Sequence, residues 1–367
     1  YTASLGYANT NPGRLDFYLV DDFANTNCQS LFSWADNLGM GNCTRFSDPS
    51  IDMSDYGQIG MPKIAVVGGA GHYVYFNKNR KFASATNNIV VTDTINNGVI
   101  RAHYAEVFKA KDSVFATKKA VSISLVEKDS LYMHGDTIML TGKPDARILR
   151  AFRGAKFYKT DLSGKCDSIH FDQRTGLTQL IKRPIIWNGE NQMTGDIIHL
   201  KSDPKTKSLD SLEVLNNAFI VAKDTIRKIG FNQAKGKDMF GVFENNALRF
   251  LNLIKNTELI YYLYDKEQEF MGINKTICSE IAIEMVNNDI SEITFITAPD
   301  GTIYPLSELP VVDRKLEGFL WFGEERIRTK DDIFGPEDLK VKLTKIRGLT
   351  NPIDTENEVK SSAKTQD

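Results

Sequence analysis

The chain has 367 residues, 41% of them hydrophobic and 25% charged, a balance expected of a folded chain of two or three domains and not of a disordered one. Its 45 basic and 47 acidic residues leave a formal net charge of −2, so there is no global basic field to hold a phosphate backbone, and nucleic acid is not expected as a partner. No apolar run approaches the roughly 20 residues of a membrane helix, and a start at Tyr1 with neither methionine nor signal peptide is expected of a processed chain or of one preceded by a leader.

Residues 1–78 alternate strands with one helix. Leu15-Asp16-Phe17-Tyr18-Leu19-Val20 and Lys63-Ile64-Ala65-Val66-Val67 read as buried strands, and Asn27 is placed to cap a helix over Gln29 to Asn37. Gly68-Gly69-Ala70-Gly71 turns into His72-Tyr73-Val74-Tyr75-Phe76 as a hairpin; without GxGxxG spacing or a following helix it is no phosphate cradle. Cys28 and Cys43, about fifteen residues apart, either close a small disulfide loop in an oxidising compartment or are two free buried thiols. The segment resembles the C-terminal half of a thioredoxin-like domain, with Met61-Pro62 in the place of that family's cis-proline. It departs from the family upstream, because Tyr1 to Arg14 contains no cysteine and so no CxxC helix.

Residues 79–87 read as a junction where residues could be missing, and 88–334 as nearly all β. Asn96-Asn97-Gly98 is a tight-turn signal between Ile89-Val90-Val91 and Val99-Ile100. From about Tyr132 onward one phrase recurs, a small or polar pair opening a strand whose alternate residues are apolar. It reads Gly135-Asp136-Thr137-Ile138-Met139-Leu140, Cys166-Asp167-Ser168-Ile169-His170-Phe171, Gly195-Asp196-Ile197-Ile198-His199-Leu200, Lys237-Asp238-Met239-Phe240-Gly241-Val242 and Cys278-Ser279-Glu280-Ile281-Ala282-Ile283. The second residues fall at 136, 167, 196, 238 and 279, giving steps of 31, 29, 42 and 41 by subtraction. Units this small cannot bury their own apolar face, so they are expected to stack. Companion strands lie between them, at Lys156-Phe157-Tyr158, Pro184-Ile185-Ile186-Trp187, Ala218-Phe219-Ile220-Val221 and Leu259-Ile260-Tyr261-Tyr262, enough for two facing sheets. Counting repeats puts Cys166 and Cys278 three rungs of roughly 4.8 Å apart, about 14 Å and beyond disulfide reach. Residues 335–367 read as a polar, solvated tail.

The ordered motifs of 88–334 resemble the OstA/LptA-like lipopolysaccharide-transport proteins of the Bacteroidetes type. The resemblance rests on Ser130-Leu131-Tyr132-Met133-His134-Gly135-Asp136-Thr137, Ala155-Lys156-Phe157-Tyr158, Gly164-Lys165-Cys166-Asp167-Ser168 and Pro184 to Asp196. It continues through Asn216-Asn217-Ala218-Phe219-Ile220, Phe231 to Gly236, Ile293-Thr294-Phe295-Ile296 and Ile303 to Pro310. It implies a β-jellyroll whose apolar interior shields lipopolysaccharide acyl chains in the periplasm, associated with the outer membrane, and which docks by its edge strands to other jellyrolls of the transport bridge. The expected fold is therefore mainly β, stacked repeats preceded by a small α/β thioredoxin-like segment. Lipid-facing positions are expected at Ile138, Leu140, Ile169, Phe171, Ile198, Leu200, Phe240, Val242, Ile281 and Ile283, the alternate residues of the phrase; filling a closed core is the plainer reading of each.

Polar chemistry is sparse. His170 and His199 hold the same place in neighbouring repeats and are expected one rung apart on the outer face, as a solvated pair and not a metal site, since no third ligand recurs. No nucleophile elbow or His–acid pairing suggests catalysis, so no enzyme activity, metal or cofactor is expected. Asp-Ser/Thr-aliphatic triplets at Asp93-Thr94-Ile95, Asp112-Ser113-Val114, Asp129-Ser130-Leu131, Asp210-Ser211-Leu212 and Asp224-Thr225-Ile226 resemble an O-glycosylation sequon of Bacteroidetes periplasmic proteins; turn aspartates meeting strands give the same pattern. The alternatives to lipid transport are a thioredoxin-like oxidoreductase fused to a β scaffold and a purely structural subunit of an outer-membrane complex.

Overall fold

A computed structural model describes residues 81–339, apart from 94, 127–128, 246 and 287–288, together with the short strands β1 (Leu5–Gly6), β2 (Asp16–Phe17), β3 (Ile64–Val67) and β4 (Val74–Asn77). The remainder of the thioredoxin-like segment, the expected helix over 29–37, Cys28, Cys43 and most of the polar tail lie outside the described residues. What is described is mainly β, antiparallel and jellyroll-like; its helical content is short 3₁₀ turns such as Lys109–Lys111 and Val311–Arg314. The chain divides into two compact units, Tyr1–Ser124 with Thr137–Pro144 and Pro336–Asp367, and Leu125–Asp136 with Asp145–Gly335. The expected boundary near residue 88 falls inside a strand, β5 (Phe82–Asp93).

In the first unit β5, β6 (Gly98–Phe108), β7 (Ser113–Thr117), β8 (Val121–Val126) and β10 (Thr137–Thr141) pair in antiparallel register. Ile138, Ala116, Ala105 and Ala85 stand directly opposite one another and are buried. On the other face the Tyr104 hydroxyl donates to the buried Glu106 carboxyl, and burial raises the affinity of both groups for their protons.

The second unit contains β9 (Asp129–His134), β11 (Ile148–Tyr158), β12 (Leu162–Asp172), β13 (Leu177–Ile181), β14 (Ile185–Asn188), β15 (Asn191–Thr194) and β16 (Ile197–Ser202). Six further strands follow: β17 (Leu209–Lys223), β18 (Phe231–Glu244), β19 (Ala247–Tyr264), β20 (Phe270–Val286), β21 (Asp289–Ile296) and β22 (Asp300–Tyr304). Every long strand crosses a corner, so one half of it pairs in one half-sheet and the other half in a second. Two kinds of corner alternate. In one, two successive residues take left-handed φ: Arg153 (58°) and Gly154 (64°) in β11, Lys182 (61°) and Arg183 (51°) before β14, Asn216 (56°) and Asn217 (52°) in β17, Lys255 (64°) and Asn256 (53°) in β19, Thr297 (62°) and Ala298 (50°) after β21. In the other lies the recurrent phrase. The amides of Asp136, Asp167, Asp196 and Ser279 donate to the carbonyls of Arg153, Lys182, Asn216 and Thr297 at 3.1, 3.1, 3.0 and 3.4 Å. The phrase is thus a corner latch, and each repeat is one strand of each kind.

The phrase's side chains follow from that role. Asn217 Nδ2 donates to both Asp196 carboxylate oxygens at 3.1 Å, Arg153 Nε reaches Asp136 Oδ2 at 2.5 Å, and Asp238 Oδ1 accepts the Asn216 amide at 3.1 Å. Glycine opens two of the phrases because neighbours crowd it: a Cβ at Gly195 would lie 2.3 Å from Val214 Cγ1, and one at Gly135 3.0 Å from the Phe152 carbonyl oxygen.

The first half-sheet runs β11, β12, β13, β16, β17, β18, β19, β20, β21. Register sets Ala151, Ile169, Leu180, Ile198, Val214, Met239, Leu253 and Ile281 side by side, and none is more than 1% exposed. The second half-sheet runs β9, β11, β12, β14, β15, β17, β18, β19, β20, β22, with Met133, Phe157, Ile186, Met193, Ile220, Ala234 and Leu259 in the matching buried row. The outer face of this second half-sheet is covered by the chain's own segment 305–335. Two buried glutamines clamp it as a neighbouring strand would. Gln233 donates to the Arg314 carbonyl and accepts from the Leu316 amide at 2.8 and 2.9 Å, and Gln192 does the same with the Leu320 carbonyl and the Phe322 amide at 2.8 and 2.7 Å. Leu309 and Leu316 then join Phe219, Val221, Ile260, Tyr262 and Ile273 in one apolar cluster.

Two stability outcomes follow. Asn216→Val places a β-branched residue at positive φ and is expected to lower unfolding free energy by about 1–2 kcal/mol in urea titration, whereas Asn216→Gly, which takes that φ freely, is expected to lose much less. Gln233→Leu strands the Arg314 carbonyl and the Leu316 amide, so a loss of about 2–3 kcal/mol is expected, with new proteolytic cleavage between residues 310 and 325.

Candidate lipid cleft

Between the inward faces of the two half-sheets, away from the corner, lies a small cleft. Leu251, Ile283, Met285 and Ile290 form one wall, from β19, β20 and β21; Ile220, Ala222, Ala234, Leu259 and Tyr261 form the other, from β17, β18 and β19. A small side chain makes room on one wall, where Ala234 stands between Ile220 and Leu259 in the inward row; on the facing half-sheet Gly241 leaves no gap, because Leu212, Leu248 and Leu251 already pack within 3.1–3.3 Å of where its Cβ would stand. Asn191, Asn232 and Gln233 supply the polar lining. Two of them are held in place, Asn232 Oδ1 by the Tyr262 amide at 2.9 Å and Gln233 by the strap. The cleft lies toward β21 and β22, each of which pairs with β20.

No family model and no curated protein matches the sequence. Among solved structures, LptH of Pseudomonas aeruginosa, described as the LptA homologous periplasmic component of the conserved lipopolysaccharide transport device, is similar at a TM-score of 0.30 and 16% identity, over 40% of this chain and 99% of that chain.

The expected lipid-facing residues separate into four groups. Ile169, Ile198, Leu200, Ile281 and Ile283 point inward in the second unit, with Phe171 half-buried beside them; of these Ile283 lines the cleft, and the rest pack the interior nearer the corner. Ile138 is buried and Leu140 half-buried, but both belong to the first unit. Phe240 and Val242 do not face inward at all. They are 37% and 47% exposed, and beyond the corner of that strand the buried residues are Met239, Gly241 and Phe243. The cause is a shift of one residue: β18 meets its corner at Lys235/Asp238, so Met239 pairs with Val214 and Leu253 in the inward row, and the phrase's parity is reversed there.

The corner also corrects the two pairwise distances. His170 and His199 are not adjacent, because Gln179 of β13 stands opposite both. Gln179 Nε2 lies 3.2 Å from His199 Nε2, and His199 Nδ1 lies 3.4 Å from Glu213 Oε2. Burial lowers the proton affinity of His170. Among the described residues no group of three or more His, Cys, Asp or Glu side chains could hold a metal ion. Cys166 and Cys278, free and buried, are six strands apart and not three, about 29 Å at roughly 4.8 Å per strand. Three of the Asp-Ser/Thr aspartates serve turns: Asp93 Oδ1 takes the Ile95 and Asn96 amides, Asp129 those of Ser130 and Thr160, and Asp224 those of Ile226 and Ile229.

Thiol chemistry tests the burial of this interior. Burial pushes the Cys166 thiol from an ordinary 9.0 to about 12, so it stays protonated in the folded protein. Alkylation at pH 8, mapped by peptide mass spectrometry, is expected to spare Cys166 until the protein unfolds. The sign of the linkage is also fixed. The unfolded thiol ionises near 9.0 and the folded one near 12, so its contribution to stability is complete below pH 9 and is lost as pH rises toward 12.

Proposed function

We propose that this chain is a non-enzymatic periplasmic protein of lipopolysaccharide transport and outer-membrane assembly, in which the cleft between the half-sheets shelters segments of acyl chain. The observation that supports this reading is the cleft's lining: two aliphatic walls from facing half-sheets, with the polar groups confined to three amides. Each methylene withdrawn from water there contributes about 0.8 kcal/mol before ordering costs, without any directional chemistry. The ordered OstA/LptA-like motifs supply the cargo and the site of action, the periplasm beside the outer membrane. Sheet edges such as those that β21 and β22 make beside β20 suit strand addition by another jellyroll of the bridge.

A second reading, a purely structural subunit, is favoured by the fully buried rows near the corner, which hold no lipid. Photocrosslinking separates the two. A photoreactive residue at Leu251 or Leu259 is expected to label lipopolysaccharide severalfold more strongly than one at Val242 on the outer face, and equal labelling would sink the transport reading. Ala222→Leu fills the cleft from a half-buried position, and it is expected to lower that labelling while leaving the urea midpoint within experimental scatter.

A further inference from the structure

The polar groups of the cleft are not scattered. Asn188, Asn191, Ala222 and Asn232 stand side by side on β14, β15, β17 and β18, and Tyr261 and Asn274 continue the row on β19 and β20, one residue beyond the Gln233–Ile260 pair. Each lies two residues, about 7 Å, nearer the strand ends than a member of the buried inward row that holds Ile186, Met193, Ile220, Ala234, Leu259 and Thr276, so the asparagine row points into the interior as well. The wall opposite stays apolar, at Met285 and Ile290. Gln233, one residue out of phase, is engaged by the strap instead.

Two of these amides keep a hydrogen-bonding group to spare. Asn188 is 1% exposed; its Nδ2 donates to the Asp161 carbonyl at 3.1 Å, and its Oδ1 accepts no bond among the described residues. An amide oxygen buried in that way costs free energy, which a leucine in its place would not. Asn232 is half-buried on the cleft wall, and its orientation is fixed, because the Tyr262 amide needs an acceptor and finds it in Oδ1 at 2.9 Å. Its Nδ2 is thereby left as a donor, with no acceptor among the described residues.

We propose that the asparagine row grips the uncharged ester or amide carbonyl at the head of an acyl chain, with Asn232 Nδ2 as the donor, while the chain runs inward past Ala234, Leu251 and Leu259. This rests on the reading of the cleft as an acyl-chain site and adds which part of the lipid is recognised. Charge around the row decides against an anionic head. The turns that frame it, 159–161, 189–190, 224–230 and 265–269, hold four basic and six acidic residues. Two of the basic ones are already engaged, Lys159 with Asp161 at 2.6 Å and Arg227 with Glu269 at 3.4 Å. A phosphate or free carboxylate there would meet an excess of negative charge, whereas a neutral carbonyl needs only an N–H donor. Polarity also sets the direction. A chain laid along the row would press methylenes against amides over its whole length, so the head stays at the row and the tail points toward the corner.

Isothermal titration calorimetry on the full chain reads the outcome with three probes: N-methyldecanamide, decanoate, and decyl methyl ether, which matches the amide in length without a carbonyl. The wild type is expected to bind the amide about fivefold more tightly than the ether, the return of one hydrogen bond, and more tightly than decanoate. Asn232→Asp keeps an oxygen for the Tyr262 amide and removes the donor, so the ether affinity and the urea midpoint are expected to persist while the preference falls to about one. The same charge added on the outer face by Val242→Asp is expected to leave the preference at about fivefold. The proposal is overturned by a wild type that does not prefer the amide, by decanoate binding as tightly as the amide, or by a preference that survives Asn232→Asp. If lipopolysaccharide labels at Leu259 while the preference is absent, this inference falls and the transport reading stands; if the preference is present without that labelling, the carbonyl grip stands and the transport reading falls.

Discussion

The fold depends on one backbone contact repeated along the stack: the amide of a phrase residue donating to the carbonyl of a left-handed residue on the neighbouring strand. A continuous antiparallel ladder would run flat or twist gently, and its two faces would both need cover. Two successive left-handed residues turn the strand sharply and interrupt the ladder, and an unpaired buried amide at the turn would be costly. The latch satisfies that amide in the same step that bends the strand. Because every strand bends at the same height, the stack folds along one line and its two halves present apolar faces to each other.

Residue choice at the corner follows from this geometry. Asn216, Asn217 and Asn256 tolerate left-handed φ better than most residues, and Arg153, Lys182, Arg183 and Lys255 send long side chains into water, whereas Thr297 and Ala298 make the corner after β21 without either device. The acidic member of the phrase is set against them, so Arg153 meets Asp136 and Lys255 approaches Asp238, contacts that are exposed and individually weak. Their value is positional, since each marks which strand the corner of the next strand must meet.

Much of this was legible in the sequence, though under a different description. The phrase marked the latches at Asp136, Asp167, Asp196 and Ser279 but not the one in β6, where the His103 amide donates to the carbonyl of left-handed Lys118 at 2.9 Å, and the alternation after it identified Ile169, Ile198, Ile281 and Ile283 as inward. Its opening pair looked like a strand start because a latch and a turn both select glycine and aspartate. The corner in β18 hid its own effect: Gly236-Lys237-Asp238 sets Asp238 against Asn216, and the strand resumes with Met239 inward, so a pattern carried over from β16 assigns Phe240 to the wrong face. The cleft was missed for another reason. Apart from Ile283, its walls come from residues outside the phrase, and in the companion strands apolar residues alternate with equally apolar ones, as in Phe219-Ile220-Val221, where Phe219 and Val221 are buried outward by a strap some 85 to 100 residues later. No local period distinguishes a face covered by the opposing half-sheet from one covered by a distant segment.

The same accounting bears on why space appears where it does. Near the corner the half-sheets are close, and Ile198, Met193, Val214, Met239 and Leu253 fill the gap without exposure. Farther from it the cleft is lined by large residues on both walls, Leu251, Ile283 and Met285 facing Ile220, Leu259 and Tyr261, and the small ones, Ala222 and Ala234, stand on the second half-sheet alone. A void lined by aliphatic groups forfeits contacts on its walls, so two alanines among large neighbours hold this stretch of interior open at a cost that a closed core would avoid.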